Sequence, residues 1–299
     1  MFLLSCQMPI RCKIANSVRS KIHIFLTAIA MGALAQESVP TVPVLSNSGA
    51  PMRLNFVCQE EELAGAGMSC SDENPCPVYL ELEGISSAGK KLLVAGNLHG
   101  PSATIYSMLL GTDDGGVTWK EATTSRSIGA AIDQVQLLDS MHGWAAGEVQ
   151  VPLARDPFFL ITTDGGVTWR RKLLTEDGGP GDMQRFWFDS ADHGEVIVDG
   201  GRSAEGGRYV LYESHTAGDS WTVVSKTTQV PMLRRAPASE NTDYRISTDN
   251  GSKAYVIEKR DGAKWSKVAA FFIHVANCGS PPPPPPPAPP ENPPLPDAK

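Results

Sequence analysis

Apolar and polar positions between residues 78 and 273 alternate in short runs, and Gly, Asp or Ser breaks each run. Such alternation marks half-buried strands rather than helices. One stretch shows the plan. Ile132–Leu138 reads as a strand, Asp139–Gly143 as a turn and Trp144–Glu148 as a strand. After a loop, Phe158–Thr163 is a strand, an Asp-Gly-Gly turn follows, and a last strand runs from Thr168 to about Leu173. No segment in this region carries helical periodicity. Four antiparallel strands in about fifty residues is one blade of a β-propeller.

The blade recurs. Three related octapeptides end in tryptophan: Thr112-Asp-Asp-Gly-Gly-Val-Thr-Trp119, Thr162-Thr-Asp-Gly-Gly-Val-Thr-Trp169 and Ser214-His-Thr-Ala-Gly-Asp-Ser-Trp221. A worn fourth copy is Glu258-Lys-Arg-Asp-Gly-Ala-Lys-Trp265, and the tryptophans are 50, 52 and 44 residues apart. A second element precedes the later copies by about 25 residues: Leu138-Asp-Ser-Met-His-Gly-Trp-Ala-Ala-Gly147 and Phe188-Asp-Ser-Ala-Asp-His-Gly-Glu-Val-Ile-Val198, with Gly84–Gly96 as a weaker first version. Two matched elements in constant order predict an all-β chain, a small propeller of about four four-stranded blades. Met52–Cys58 is a candidate for a fifth, partial one.

Within the octapeptide the chemistry is local. The carboxylates of Asp114 and Asp164 can accept backbone N–H groups across a tight turn, and the hydroxyls of Thr112, Thr162 and Ser214 can close the ring. Gly116, Gly166 and Gly218 occupy the turn, and the first two are expected at positive φ. Trp119, Trp169 and Trp221 are expected to plug the space between neighbouring sheets, each burying on the order of 150–250 Å². These residues resemble the Asp-box, or bacterial neuraminidase repeat. The fuller combination, Asp-Ser-Met-His-Gly-Trp-Ala-Ala-Gly followed by Thr-Asp-Gly-Gly-Val-Thr-Trp, looks like the repeat of the photosystem II stability/assembly factor family, over roughly residues 78–273. The resemblance implies a structural motif on a non-catalytic assembly or binding factor. Thr216 stands where the third copy should have Asp, and the fourth keeps little beyond Gly262 and Trp265.

The ends differ from the middle. Residues 1–35 hold four basic residues and no acidic ones, with the apolar run Ile22–Met31 and then Ala33-Leu34-Ala35, the pattern of a cleaved export signal. The run is too short to span a membrane well. Without it, 22 basic residues face 33 acidic ones, so a nucleic-acid partner is not expected. Residues 36–77 form an N-terminal segment, 78–278 the propeller, and 279–299 a proline-rich tail holding 12 of the 24 prolines, expected as an extended spacer. Four cysteines remain after cleavage, and an exported chain with an even number is expected to form disulfides. Three pairings exist; Cys70 and Cys76 can staple one loop, which leaves Cys58 for Cys278. Their spacing does not fit a metal site, and no cofactor is expected.

The Asp-box also raises the question of a sialidase-like enzyme. Such a site needs three arginines, a Tyr–Glu pair and an acid/base Asp, in six blades; the usual entry motif is missing, and no serine-nucleophile, zinc-protease or phosphate-loop motif occurs. Antiparallel strands place the Asp-boxes on one face and the blade connections and second–third loops on the other. That second face should gather His99, Arg155, Arg202 and Arg208 from loops and Arg126, Arg234 and Arg235 from connections. Arginine clusters suit carboxylates or phosphates, although Asp156, Asp182 and Glu205 can neutralise them. The expectation is an exported, non-enzymatic scaffold binding a protein with an acidic surface or terminus. A sialidase-like hydrolase or a glycan-binding lectin is the alternative.

Overall fold

A computed structural model describes residues 43–56, 58–71, 73–101, 103–122, 129–150, 154–202, 204–233, 243–273 and 278. The export signal, the proline-rich tail, Arg126, Arg234 and Arg235 lie outside the described residues. Each alternating run becomes a strand, and the strands gather into four separate sheets, antiparallel throughout in the first three. Blade 1 contains β3 (Tyr79–Ala88), β4 (Lys91–His99), β5 (Thr104–Thr112) and β6 (Thr118–Glu121), and β1 (Val44–Ser46) adds a fifth strand outside β6. Blade 2 runs β7 (Ala130–Leu137), β8 (Gly143–Val149), β9 (Arg155–Thr162) and β10 (Arg170–Leu173). Blade 3 runs β11 (Asp182–Phe188), β12 (Gly194–Asp199), β13 (Tyr209–Ser214) and β14 (Thr222–Thr227). In each, the first strand is innermost and the fourth outermost.

Blade 4 departs from that order. Its own strands are β15 (Tyr244–Asp249), β16 (Ala254–Asp261) and β17 (Lys264–Ile273), and the outer place is taken by β2 (Met52–Leu54), running parallel to β17. Met52–Leu54 therefore completes the fourth blade instead of starting a fifth. The N-terminal segment is built into the ring, with β1 on blade 1 and β2 on blade 4. Asn47, between them, donates from Nδ2 to Gly116 O at 2.8 Å and to Val268 O at 2.6 Å, holding both blades. Disulfides Cys58–Cys278 and Cys70–Cys76 form, and Cys76 and Cys278 also exchange backbone hydrogen bonds of 3.0 and 2.9 Å. The one described helix, α1 (Glu60–Gly65), lies in this clasp. No helix among the described residues is long and apolar enough to cross a membrane.

In blades 1 and 2 the middle strands bury both faces, since each of these blades packs on a neighbour on either side. Along β8, Trp144 and Ala146 face blade 3 while Ala145 joins the apolar layer with blade 1. A third layer joins blade 1 to blade 4, and among the described residues no such layer joins blade 3 to blade 4. The box tryptophans sit in these layers: Trp119 meets Phe271 edge-on across blades 1 and 4, and Trp221 stacks on Phe159 of blade 2.

Candidate functional site

The Asp-box turns are closed by their own side chains. Asp114 accepts from the backbone N–H of Val117 and Thr118 and from the hydroxyls of Thr112 and Thr118, at 2.6–3.1 Å. Asp164 repeats this with Thr162 and Thr168. Donors on every side hold both carboxyls well below the ordinary range, Asp164 at about 2. Two glycines in each turn take positive φ, Gly115 and Gly116 in blade 1 and Gly165 and Gly166 in blade 2. In blade 3 hydroxyls do the work: Thr216 Oγ1 accepts Ser220 N–H at 2.9 Å, Ser214 Oγ accepts Gly218 N–H at 2.9 Å, and Ala217 takes φ +59° in place of a glycine. Worn copy four is a plain hairpin turn between β16 and β17. Each box is also tied to the first turn of its own blade, through Gly115 N–H to Lys90 O, Gly165 N–H to Met141 O and Ala217 N–H to Asp192 O, at 2.8–2.9 Å. The two turn types therefore share one face, and the Asp114 and Asp164 carboxylates are occupied by their own loops.

A different repeated feature lies on the innermost strands. Each of β3, β7 and β11 carries a β-bulge at the same register, so that Glu83, Asp133 and Gln184 are the extra residues. Bulges re-aim side chains. Glu83 and Asp133 meet in a side-chain hydrogen bond. Glu81 stands near Glu83, and Glu148 and Asp182 near Asp133. Burial, followed by the Asp133 contact, pushes Glu83 up to about 8. Burial with the charges of Asp133 and Asp182 pushes Glu148 up to about 7, and burial raises Asp182. These carboxyls favour holding protons or meeting positive charge.

From this bulge level an open cavity of about 630 Å³ extends between the innermost strands to Ser87, Leu137 and Trp187. Its wall mixes aromatic surface, glutamine amides and one arginine, Arg185, and no tyrosine lines it. Of the described sequence-predicted cations, none lines this cavity. His99 Nε2 lies 2.7 Å from Glu81, and its Nδ1 3.0 Å from Thr104 Oγ1. Arg208 closes a bidentate pair on Asp199 and leans on the Tyr209 ring. Arg155 is exposed beside Asp156 at 3.5 Å, and Arg202 is exposed. The bulged carboxyls went unseen in the sequence. Their only signal was an acidic residue at equivalent places in the first two repeats, which alternation alone hides.

No family model and no curated protein matches this chain. Among solved structures it is similar to one described as YCF48 bound to D1 peptide, at 20% identity and TM-score 0.35, covering 67% of this chain and 60% of that one. It is also similar to YCF48 from Cyanidioschyzon merolae, at 20% identity and TM-score 0.34, covering 64% and 57%. The chain spans less than two thirds of either structure's length. The four-bladed architecture rests on its own strand order and register.

Proposed function

We propose that this chain is an exported, non-enzymatic binding or assembly scaffold that takes up a segment of a protein partner at one propeller face. The open cavity between the innermost strands, with the bulged Asp133 in its wall and Glu83 hydrogen-bonded to Asp133, carries this reading. Aromatic surface and amides line a space that suits an extended segment. The carboxyls favour hydrogen-bond donors or positive charge at the segment's tip. Exposed Arg155 and Arg202 stand outside the cavity, joined in this proposal by Arg126, Arg234 and Arg235, and suit an acidic surface or terminus around that tip. Two disulfides fit an exported protein.

Affinity capture from the chain's own envelope fraction tests this, with Arg126/Arg155/Arg234→Ala and Glu83→Gln/Asp133→Asn forms run in parallel. A single protein recovered with the native chain and lost from either form supports the scaffold and reports the sign of charge that matters. Capture unchanged by both sets refutes this face. Absence of any protein partner favours the glycan-binding alternative, for which Trp187 beside glutamine amides supplies the specific observation. A glycan-binding and sialidase assay then follows.

A further inference from the structure

On the Asp-box face, blade 3 carries a group that its sister blades lack. His193 ends the first turn of the blade, and its Nδ1 lies 2.8 Å from Asp189 Oδ1. Its other nitrogen, Nε2, is 3.0 Å from Glu213 Oε1, on the neighbouring strand β13. His215, in the third Asp-box, places Nε2 3.6 Å from Glu213 Oε2. One ligand atom from each of the three residues lies within 4.8 Å of the other two.

The repeat supplies an internal comparison. Blade 2 has the same Asp–His pair in its first turn, with His142 Nδ1 2.9 Å from Asp139. By strand register the counterparts of Glu213 and His215 there are Ile161 and Thr163, neither of which offers an imidazole or carboxylate. Blade 1 has Lys91, Gly111 and Asp113 at the three places. So blade 3 differs at the two positions on either side of Ser214, and both place ligand atoms near the turn histidine that blades 2 and 3 share. The same box gave up its Asp for Thr216 and accepts a strained Ala217. Departure from the structural repeat and acquisition of metal-ligand chemistry fall in one turn.

We propose that His193, Glu213 and His215 form a binding site for a borderline transition-metal cation, zinc above all, with Asp189 as the residue that orients His193. The chemistry fits that ion. Two imidazoles and a carboxylate are a zinc donor set with one place left open, and ligand atoms of a tetrahedral zinc stand about 3.4 Å apart at bonds of about 2.1 Å. His193 Nε2 is 3.0 Å from one Glu213 oxygen and His215 Nε2 3.6 Å from the other, and one ligand atom from each residue lies within 4.8 Å of the rest, so small rotations of the exposed His215 ring and of the carboxylate bring the three to that spacing. With Nδ1–H donated to Asp189, Nε2 donates to Glu213 when it carries a proton and would offer its lone pair to a metal once that proton is displaced, the usual carboxylate–histidine–metal arrangement. Two carboxylates flanking one imidazole already call for positive charge there, and zinc would take the place of a proton on Nε2. His215 is 68% exposed, so the open coordination position faces solvent, available to water or to a donor from a bound partner.

Zinc alone, titrated into the full, disulfide-intact chain and followed by calorimetry, tests the site; cobalt absorption reports its ligands. Glu213→Ile and His215→Thr install the residues that blade 2 already carries at these positions, so loss of fold is not built into them. The expected result is one zinc per chain, lost in the double variant, weakened about 10–100-fold by Asp189→Asn, and unchanged by His142→Ala. A cobalt spectrum with tetrahedral intensity should vanish in the double variant and persist in His142→Ala. Zinc uptake that is absent in the native chain, or equal in native and double-variant chains, overturns the proposal.

Discussion

Both ends of the Gln136 side-chain amide close on the backbone of Phe188, one blade away. Phe188 N–H donates to Oε1 at 2.8 Å, and Nε2 donates to Phe188 O at 2.6 Å. Asn97 does the same between blades 1 and 2, taking Ile132 N–H at 2.9 Å and giving to Ile132 O at 3.3 Å. Innermost strands of adjacent blades are not paired as a sheet, so their backbone groups need partners. Amide side chains extend the hydrogen-bonding across the gap. Gln136→Met keeps the volume and strands two buried backbone groups, each worth about 1–3 kcal/mol. Urea unfolding should show a loss of about 2–4 kcal/mol on that basis. A loss under about half a kcal/mol, the scale of an ordinary surface change, would mean that the amide is not the link between these blades.

Opposite pH windows follow from the two kinds of carboxyl. The box aspartates have folded pKa values below their ordinary 3.8, so their contribution is present above that value and is lost as pH falls through the folded one, about 2 for Asp164. Glu83 and Glu148 are shifted the other way. Their contribution is complete below the ordinary 4.5 and is lost as pH rises through about 7 for Glu148 and about 8 for Glu83. Stability should decline on both sides of the mildly acidic range. Glu83→Gln should flatten the alkaline decline while leaving the acid limb in place. A Glu83→Gln chain with an unaltered alkaline slope in thermal melts from acid to alkaline buffer would remove burial as the cause.

Ala217 offers a gain-of-stability test. It holds φ +59° where the equivalent residues of blades 1 and 2 are Gly115 and Gly165. A non-glycine residue in that region is disfavoured by about 1–2 kcal/mol, partly offset by the greater freedom glycine has when unfolded. Ala217→Gly is expected to raise stability by about 0.5–1 kcal/mol once both are counted. A decrease in melting temperature would show that the Ala217 side chain makes contacts worth more than the backbone strain.

How much of this was legible in the sequence depends on range. Thr162, Asp164 and Gly166 announce their turn because every partner lies within a few residues, and the strands around them follow from alternation. Blade 2 formed almost as read, with β7 and β9 starting two or three residues earlier than expected. Long-range closure was hidden. Nothing local in Val44–Ser46 or Met52–Leu54 tells which sheets they join, because a three-residue strand takes its place from its neighbours. The loop arginines were placed on the connection face by topology, but their partners were not visible. Asp199 binds Arg208 through a turn, and the bulges that re-aim Glu83 and Asp133 appear only in the register between strands.

The two disulfides should contribute unequally. Cys58–Cys278 closes a span of 220 residues and Cys70–Cys76 one of six. Chain-entropy estimates give about 5 kcal/mol for the long loop and about 2 kcal/mol for the short one, less whatever order the unfolded chain retains. More than entropy depends on the long bridge. β2 has three residues and pairs only along β17, so four residues downstream Cys58 provides the anchor that keeps blade 4 complete. In Cys58→Ser/Cys278→Ser, Met52–Leu54 should exchange its amide hydrogens and open to protease well before the rest of the ring. In Cys70→Ser/Cys76→Ser those amides should stay protected, with a smaller fall in melting temperature. If instead both double variants melt together and Met52–Leu54 remains protected in each, the ring is held closed by the blade 1–blade 4 apolar layer, around Trp119 and Phe271, without help from the covalent bridge.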